Sequence, residues 1–296
     1  MTKFIITIIL FLNSFTLCAQ NKIEGIEKRS FSIGETVEFN SHVLNENRML
    51  NIYLPASYAD SPDQDYPVIY LLDGSAEEDF IHIVGLVQFG SFSWINQIPE
   101  SIVVGIANVN RKRDFTYPTN NIKDKVDFPS SGGSKNFIKF ISDEVQPLVD
   151  KNYRTNASKT IIGQSLGGLL ATEILFKSPS LFDNYIIISP SLWWDDESLL
   201  AFEPSTKFAS KSIYIGVGKE GNIMEKLSNA LYKKLKTNNS KGNLIYFNFF
   251  EQLSHGDTLH LAVYDAFNKI FRENVKVKQS AVKQNVSDES FSGLVE

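Results

Sequence analysis

The sequence is poor in the residues that build disulfide frameworks and metal centres. It has one cysteine, Cys18, and four histidines, His42, His82, His255 and His260, in 296 residues. A single cysteine excludes a disulfide framework and a cysteine-ligated metal, and so few histidines argue against a histidine-rich metal site. We therefore expect neither a metal ion nor a cofactor.

A basic surplus is also missing. Lysine and arginine number 29 against 34 aspartates and glutamates, which gives a net charge of −5. Nucleic-acid-binding domains are usually basic, so no nucleic-acid partner is expected. Core-forming residues, in contrast, are abundant: 43% of the chain is hydrophobic and 12% is aromatic. This composition excludes a disordered or collagen-like chain.

The first residues have the pattern of an export signal. Lys3 precedes an apolar run over 4–17, and Cys18 and the small Ala19 follow. The run is shorter than the ~20 residues that span a bilayer, and the whole pattern is typical of a secretory signal peptide over 1–19. We predict cleavage after Ala19 and export to the periplasm or the extracellular space, with no membrane span remaining. A lipoprotein anchor on Cys18 is the alternative, less favoured because bulky Leu17 precedes that cysteine.

Eight segments rich in β-branched and aromatic residues predict strands. They cover residues 36–43, 48–54, 67–73, 101–107, 159–163, 184–189, 212–217 and 243–250. The first two alternate apolar with polar residues and lie close together, which predicts an antiparallel hairpin. The later ones contain continuous apolar runs, which are typical of parallel strands covered on both faces.

Helical periodicity occupies stretches between the later strands and after the last one. Apolar stripes fall over 137–149, where Pro147 predicts a kink, and over 169–175, 224–235 and 259–270. Strands that alternate with helices predict an α/β fold with a mostly parallel eight-stranded sheet and helices on both faces. We assign residues 20–274 to one domain, with 111–133 as a long aperiodic loop and 275–296 as a flexible tail.

The run Gly163-Gln164-Ser165-Leu166-Gly167-Gly168 matches G-x-S-x-G. In this motif a sharp strand-to-helix turn lifts a serine hydroxyl above the edge of a sheet. The pattern alone is weak, but here a predicted strand precedes it and a predicted helix follows it, as the motif requires. Ser165 is therefore the candidate nucleophile.

A serine hydroxyl needs a base to remove its proton, and histidine is the usual partner. In this fold the acid and then the histidine follow the serine along the chain, which leaves His255 and His260. His255 follows the last predicted strand, at the sheet edge where ligands bind, whereas His260 falls inside the last helix. We predict that His255 is the base and interpret His42 and His82, which precede Ser165, as structural.

A carboxylate that orients the imidazole should follow the seventh predicted strand. Glu220 comes directly after that strand and its turn and is our candidate. Glu225, one helical turn later, is an alternative, as are Asp195 and Asp196 after the sixth strand. A histidine that acts without a carboxylate also remains open, because loss of the acid is the mildest loss in such a triad.

Acyl transfer passes through an oxyanion that backbone N–H groups stabilise. One donor should come from Leu166, directly after the nucleophile, and the other from the loop after the third strand. In that loop Ser75 is our candidate donor, preceded by Gly74, which lets the backbone approach a ligand closely. A plain strand-ending turn is the alternative interpretation of this loop.

Five ordered segments carry a resemblance to a known family. They are residues 68–74, 111–116, 163–168, 189–194 and 254–256. With these segments the chain resembles the putative-esterase family of α/β-hydrolases, which includes siderophore esterases of the enterobactin type, esterase D-like enzymes and mycolyl transferases. The resemblance extends from Phe31 to Phe271. It implies the α/β-hydrolase fold, Ser165 as nucleophile, His255 as base and backbone donors at Ser75 and Leu166.

The siderophore-esterase branch is the most similar, through Trp193-Trp194 and the Arg-x-Arg-Asp run at 111–114. Arg111 and Arg113, together with Asp114, are predicted to bind substrate, the arginines by forked hydrogen bonds to an anionic or catechol-bearing acyl group. Trp193 and Trp194 are predicted to stack on an aromatic or sugar ring. A solvated charge run and a tryptophan packed in the core are the respective alternatives.

Together these features predict a secreted serine hydrolase that cleaves carboxylic esters through an acyl-enzyme. The expected partner is a small-molecule ester, such as a siderophore, phenolic or acetyl-sugar ester. An acyltransferase of the same fold and a non-catalytic ligand-binding module are the alternatives.

Overall fold

All eight predicted strands are present and form one sheet. They are β1 (Glu35–Ser41), β2 (Glu46–Tyr53), β3 (Tyr66–Leu71), β4 (Ile102–Ile106), β5 (Thr155–Gln164), β6 (Asn184–Ile188), β7 (Ser212–Gly218) and β8 (Leu244–Phe250). The order across the sheet is β1-β2-β4-β3-β5-β6-β7-β8. The pairs β1–β2 and β2–β4 are antiparallel, and every later pair is parallel.

Nine helices accompany the sheet in the described part of the chain. They are α1 (Phe80–Ser91), α2 (Arg111–Asp114), α3 (Ile122–Asp127), α4 (Ser134–Phe140), α5 (Gln146–Asn152), α6 (Leu166–Lys177), α7 (Trp194–Ala201), α8 (Asn222–Thr237) and α9 (Thr258–Phe267). This computed structural model describes residues 27–203, 209–237, 239 and 242–272. The predicted signal peptide, the domain limits at 20 and 274 and the tail lie outside those residues and stay predictions.

The chain divides into two units, 1–32 and 33–296. Residues 27–32 of the first unit contain no helix or strand. Arg29 pairs there with Glu27 at 2.9 Å. The second unit contains the sheet and all the helices named above.

The strand pleat sends alternate side chains into two separate cores. In β3, Val68 and Tyr70 enter the larger core, where α4, α5, α6 and α8 pack. Ile69 and Leu71 enter the smaller core, where α1 and α9 pack. Helices therefore cover both faces, and the predicted fold class is confirmed.

The region between β4 and β5 differs from the prediction. Within the predicted loop 111–133 lie the short helices α2 and α3, each begun by an asparagine cap. The Asn110 side chain accepts from Arg113 N, and the Asn121 side chain accepts from Lys123 N and Asp124 N. Helices of four and six residues are too short to show a hydrophobic period.

The stripe over 137–149 is also interrupted. It divides into α4, a π-helical turn at Ile141–Val145, and α5. Pro147 lies in the first turn of α5, directly after the π-helical turn. Phe140, Ile141, Val145 and Gln146 all have helical backbone angles, so the chain stays helical through both junctions, and the predicted kink stays a prediction.

Candidate active site

Ser165 lies on a sharp turn between β5 and α6. Its φ of 59° and ψ of −118° are unusual for a residue with a side chain. Gly163 makes the turn possible, because a Cβ there would lie 2.4 Å from Gly167 O. A Cβ on Gly168 would lie 2.9 Å from Ile188 O of the neighbouring strand. The glycines of the motif thus let strand and helix meet at the edge of the sheet.

His255 and Glu220 meet at the same edge of the sheet. Glu220 follows β7 and His255 follows β8, and His255 Nδ1 lies 2.5 Å from Glu220 Oε2. The other carboxylate oxygen accepts from Ser189 Oγ at 2.5 Å and from Gly218 N at 2.9 Å. Because Nδ1 faces the carboxylate, Nε2 is the ring nitrogen left to act on a substrate or a hydroxyl.

The Glu220 side chain is only 2% exposed, whereas the His255 side chain is 47% exposed. Burial raises the pKa of the Glu220 carboxyl. Hydrogen bonds from His255, Ser189 and the Gly218 N–H lower that pKa by more, so its net value is below the usual one. Glu220 is therefore an ionised, fixed acceptor beside a histidine that solvent reaches.

The other predicted carboxylates have different partners. Glu225 accepts from Gly221 N at 3.2 Å, at the start of α8. Asp195 accepts from Asn120 N at 2.6 Å, and Asp196 accepts from an Asn121 side chain at 2.7 Å. These three carboxylates bond to other groups, so Glu220 is the carboxylate that contacts the His255 ring.

Gln164 brings the serine and histidine loops together. Its side chain donates to His255 O at 2.6 Å, directly beside the Ser165 turn. Ser165 Oγ contacts Ser191 Oγ at 3.3 Å. Across the residues that the structure describes, no hydrogen bond joins Ser165 Oγ to the imidazole. Such bonds often tighten only when substrate is present.

The predicted backbone donors also lie at this edge. Leu166 is the first residue of α6, where an N–H has no partner within the helix. Ser75 follows Gly74 in the loop after β3. A Cβ on Gly74 would lie 2.3 Å from Gly105 Cα. Close approach to β4 therefore requires a glycine at this position, and its predicted role in the approach of a ligand stays a prediction.

Arg111 does not present its fork to a substrate. Its Nε donates to Asp73 Oδ1 at 2.6 Å and its Nη2 to Asp73 Oδ2 at 2.8 Å. The same Nη2 lies 3.3 Å from Gln164 O, next to Ser165. The predicted role as a substrate clamp is therefore corrected: Arg111 ties the loop after β3 to the end of β5.

Arg113 and Asp114 belong to a buried ion network rather than to a ligand surface. Asp114 is 1% exposed and accepts from Arg48 at 2.8 Å and from Arg113 at 2.7 Å. Arg113 also pairs with Glu46 at 2.5 Å. Because their charged groups satisfy each other, the prediction that Arg113 and Asp114 bind substrate is corrected. They join the loop after β4 to the β1–β2 hairpin.

The two tryptophans behave differently. Trp194 is fully buried, and its Nε1 donates to Tyr117 O at 2.9 Å. The predicted stacking of Trp194 on a substrate ring is therefore wrong, because the indole is core. Trp193 is half-buried and packs near Phe128, with ring centroids 5.9 Å apart. Of the pair, Trp193 alone is within reach of solvent.

A left-handed turn follows Trp194 at the start of α7. Asp195, Asp196 and Glu197 have φ values of 51°, 53° and 63°. The Asp195 carboxylate accepts from Asn120 N, noted above, and from Thr119 Oγ1 at 2.9 Å. Hydrogen bonds from the segment before α3 thus hold a backbone that residues with side chains rarely adopt.

Several contributors carry no clear sequence signal. Ser189, which bonds Glu220, ends an ordinary apolar run. Asp73 lies in the segment 68–74, but no sequence motif pairs it with Arg111. Asn108 donates to Asp73 Oδ1 at 2.7 Å and to both oxygens of Glu78 at 3.0–3.1 Å. Only the three-dimensional contacts identify these residues.

Within the described residues, no group of three or more histidine, cysteine, aspartate or glutamate side chains is arranged to hold a metal ion. No helix in the same ranges has the length and apolar content needed to cross a membrane.

The chain is similar to several known proteins. The ferri-bacillibactin esterase BesA of Bacillus subtilis (strain 168) is 31% identical over 193 residues, 61% of this chain and 66% of that protein. An IroE-like serine hydrolase from Shewanella oneidensis superposes with a TM-score of 0.74 at 30% identity, covering 81% of this chain and 80% of the other. The BES protein from Bacillus cereus gives 0.73 at 27% identity, covering 83% and 98%.

The sequence range that matches a known family contains the three residues of the candidate site. The family model described as "Putative esterase" matches residues 41–256. That range begins in the antiparallel hairpin, contains Ser165 and Glu220, and reaches just past His255. The chain belongs to this esterase family and is a carboxylic ester hydrolase.

Proposed function

We propose that this esterase works through an acyl-enzyme on Ser165. His255 removes the hydroxyl proton as Ser165 Oγ attacks the ester carbonyl, then gives that proton to the leaving alcohol. Water hydrolyses the acyl-enzyme with the same histidine as base. Glu220 holds the imidazole and stabilises its cation.

The contact between His255 Nδ1 and Glu220 Oε2 at 2.5 Å carries the proposal. It gives a solvent-accessible histidine a fixed orientation and an ionised partner. The bond from Gln164 to His255 O keeps that loop against the residue before Ser165. These contacts supply the oriented base that a serine nucleophile requires, and they hold the His255 loop beside the Ser165 turn.

The oxyanion of the tetrahedral intermediate needs preorganised donors. We assign that role to the N–H groups of Leu166 and Ser75, each worth about 2.7–4 kcal/mol of transition-state stabilisation. The Arg111–Asp73 pair supports this assignment, because it links the Ser75 loop to the strand that ends at Ser165.

The substrate range that we propose is siderophore, phenolic and acetyl-sugar esters. The name of the Bacillus subtilis relative refers to a ferri-siderophore ester. The named relatives also include an endo-1,4-beta-xylanase/feruloyl esterase from Xylanibacter ruminicola, 26% identical over 198 residues, 64% of this chain and 25% of that protein. Half-buried Trp193 is an aromatic residue available to contact a ring.

Labelling tests the mechanism directly. The protein is treated with a fluorophosphonate probe and digested, and the modified peptide is mapped. We expect a single modified residue, Ser165, and a burst of product with 4-nitrophenyl acetate. Ser165→Ala should lose labelling and at least about 10⁴-fold in kcat.

Ser191→Ala is the matched control, because Ser191 Oγ is 3.3 Å from the nucleophile and is given no chemical role. It should keep both labelling and turnover. Equal hydrolysis by wild type and Ser165→Ala across phenolic, acetyl and lactone esters would refute the mechanism. Product analysis with an added sugar or alcohol acceptor separates hydrolysis from acyl transfer.

We also propose that the protein is exported, on the pattern of Lys3, the apolar run and Ala19. N-terminal sequencing of protein from fractionated cells tests this. A mature chain that begins at Gln20 agrees with the proposal, and a chain that keeps residues 1–19 contradicts it. Lipid attached to Cys18 would identify the lipoprotein alternative.

A further inference from the structure

A cleft of about 610 Å³ adjoins Ser75 on the hairpin side of the sheet. Its floor is the exposed face of the hairpin, where register pairs Thr36 with Asn51 and Glu38 with Met49. Its walls are the loops after β3 and β4, including Glu77 and Val109. The His255 loop follows β8 at the opposite end of the sheet, so none of the residues that act on the proton line this cleft.

The cleft is continuous with the proposed oxyanion site. Ser75 lines it and is the residue whose N–H we assign to the oxyanion. Asn108 lines the opposite side, donates its N–H to Ser75 Oγ at 3.4 Å, and bonds Asp73. One side of an ester bound at Ser165 therefore extends toward this cleft, away from His255.

The unpaired charges in the cleft lining are negative. Glu38 and Glu77 are exposed in its lining, and within the described ranges neither forms an ion pair. The one cation in the lining, Arg48, has a fully buried side chain and is neutralised by Glu46 and Asp114. A cleft lined by unpaired charges of one sign concentrates ligands of the opposite sign.

The surroundings strengthen the negative field. Arg111, which lies next to Gln164 O, is neutralised by Asp73. Glu78 and Asp79 follow the cleft wall directly, and burial and the neighbouring carboxylates raise the pKa of Asp79 to about 6. His82 and Arg111 oppose that shift without cancelling it.

We propose that this cleft binds the remote part of the ester and selects cationic groups over neutral ones, and neutral groups over anionic ones. The inference rests on the proposed reaction at Ser165. It narrows the substrate class to esters that bear an ammonium, guanidinium or uncharged polar group, and it disfavours polyanionic esters. Glu38 and Glu77 are the residues that determine this specificity.

Matched esters measure the preference. In the first series, three 4-nitrophenyl esters have acyl chains of equal length that end in trimethylammonium, tert-butyl or carboxylate. In the second series, the same three groups are placed on the alcohol part of the ester. In at least one series, kcat/KM should be about tenfold higher for the cation than for the anion at low ionic strength. Sodium chloride at 0.5 M should reduce that ratio severalfold.

The variant Glu38→Gln/Glu77→Gln should bring the cation-to-anion ratio of kcat/KM near unity. Asp60→Asn/Asp63→Asn removes the same charge from an exposed loop before β3, at the other edge of the sheet, and should keep the ratio. A ratio that stays the same in the first variant, or falls equally in both, overturns the inference. Ser165-dependent turnover with no charge preference overturns it as well and leaves the proposed function standing.

Binding provides a readout that needs no turnover. Calorimetry on Ser165→Ala compares hexyltrimethylammonium with hexanesulfonate. The cation should bind at least about tenfold more tightly, and the two glutamate substitutions should abolish the difference. Equal binding of both probes rejects the cleft as a cation-selective site, whatever the outcome for Ser165.

Discussion

Two regions at the same edge of the sheet use their charged side chains in opposite ways. The loops after β7 and β8 hold one acid and one histidine, and the histidine side chain remains 47% exposed. The segment after β4 holds more charge, but Asp114 is 1% exposed and Arg113 is paired twice. The first arrangement leaves a reactive atom free, whereas the second uses its charges to fix the position of a loop. A charge near an active site thus informs on ligands only after its protein partners are known.

The largest effect is expected when the acid of the first region is neutralised. In Glu220→Gln the fixed negative acceptor for His255 Nδ1 is lost. We expect kcat to fall by about 10³–10⁴-fold, which corresponds to about 4–5.5 kcal/mol. Steady-state kinetics with 4-nitrophenyl acetate measure the loss. Glu225→Gln, on the neighbouring helix, should retain wild-type kcat, and equal effects in the two variants would remove Glu220 from the mechanism.

In the second region the same kind of change should affect stability rather than rate. Asp114→Asn leaves the fully buried Arg48 with Glu46 as its remaining carboxylate partner. We expect the free energy of unfolding to fall by about 3 kcal/mol, with kcat little changed. Urea unfolding measures the effect, and Asp143→Asn in an exposed pair with Lys139 should leave stability as it is. A large loss of kcat at unchanged stability would reverse our interpretation.

Substitutions of Arg111 and Arg113 test which of the two regions each arginine supports. Arg111 bridges Asp73 and Gln164 O, so it supports the first region, whereas Arg113 supports the second. Lysine cannot reproduce the fork. We expect Arg111→Lys to lower kcat/KM about tenfold, or about 1.4 kcal/mol, and Arg113→Lys to leave it unchanged. Circular dichroism confirms that both variants fold, and identical kcat/KM values for the two would erase the distinction.

The smallest effect concerns pH. Burial and the carboxylates of Asp73 and Glu78 raise the pKa of Asp79 to about 6. The folded protein therefore binds a proton more tightly than the unfolded chain, and this group costs stability as pH rises from about 4 to about 6. Solvent screens this partly exposed carboxylate, so Asp79→Asn should be more stable than wild type at pH 7 by about 1 kcal/mol, less than the roughly 3 kcal/mol that the full pKa difference corresponds to.

At pH 4 that difference should be much smaller, because Asp79 is then protonated in the folded state and close to half protonated in the unfolded chain. Urea unfolding at the two pH values measures the change, with exposed Asp63→Asn as the control. A constant difference between pH 4 and pH 7 would mean that Asp79 does not titrate in this range.

Chain order explains what the sequence predicted well. Ser165, Glu220 and His255 each follow the end of a predicted strand, and parallel strands bring such ends to one edge. The three residues therefore lie at the sheet edge that their order along the chain implies. The six strands of the parallel part were also predictable, since buried parallel strands have long apolar runs, whereas β1 and β2 were predictable from their alternation of apolar and polar residues.

The partners of the arginines and the packing of the tryptophans were not predictable, because they depend on contacts between distant parts of the chain. Arg111 meets Asp73 across 38 positions, and Arg113 meets Glu46 across 67. No local pattern records such a pairing, so a free fork and an occupied one look alike in sequence. Trp193 and Trp194 are adjacent and identical in type, and only packing separates the half-buried indole from the buried one.

The left-handed turn at Asp195, Asp196 and Glu197 has a thermodynamic consequence. Backbone of this kind costs about 1–3 kcal/mol per residue and persists only where other contacts impose it. Those contacts come from residues 119–121, about 75 positions earlier. Neither segment is stable in its present shape without the other, so the two must detach and dock together as a single cooperative unit.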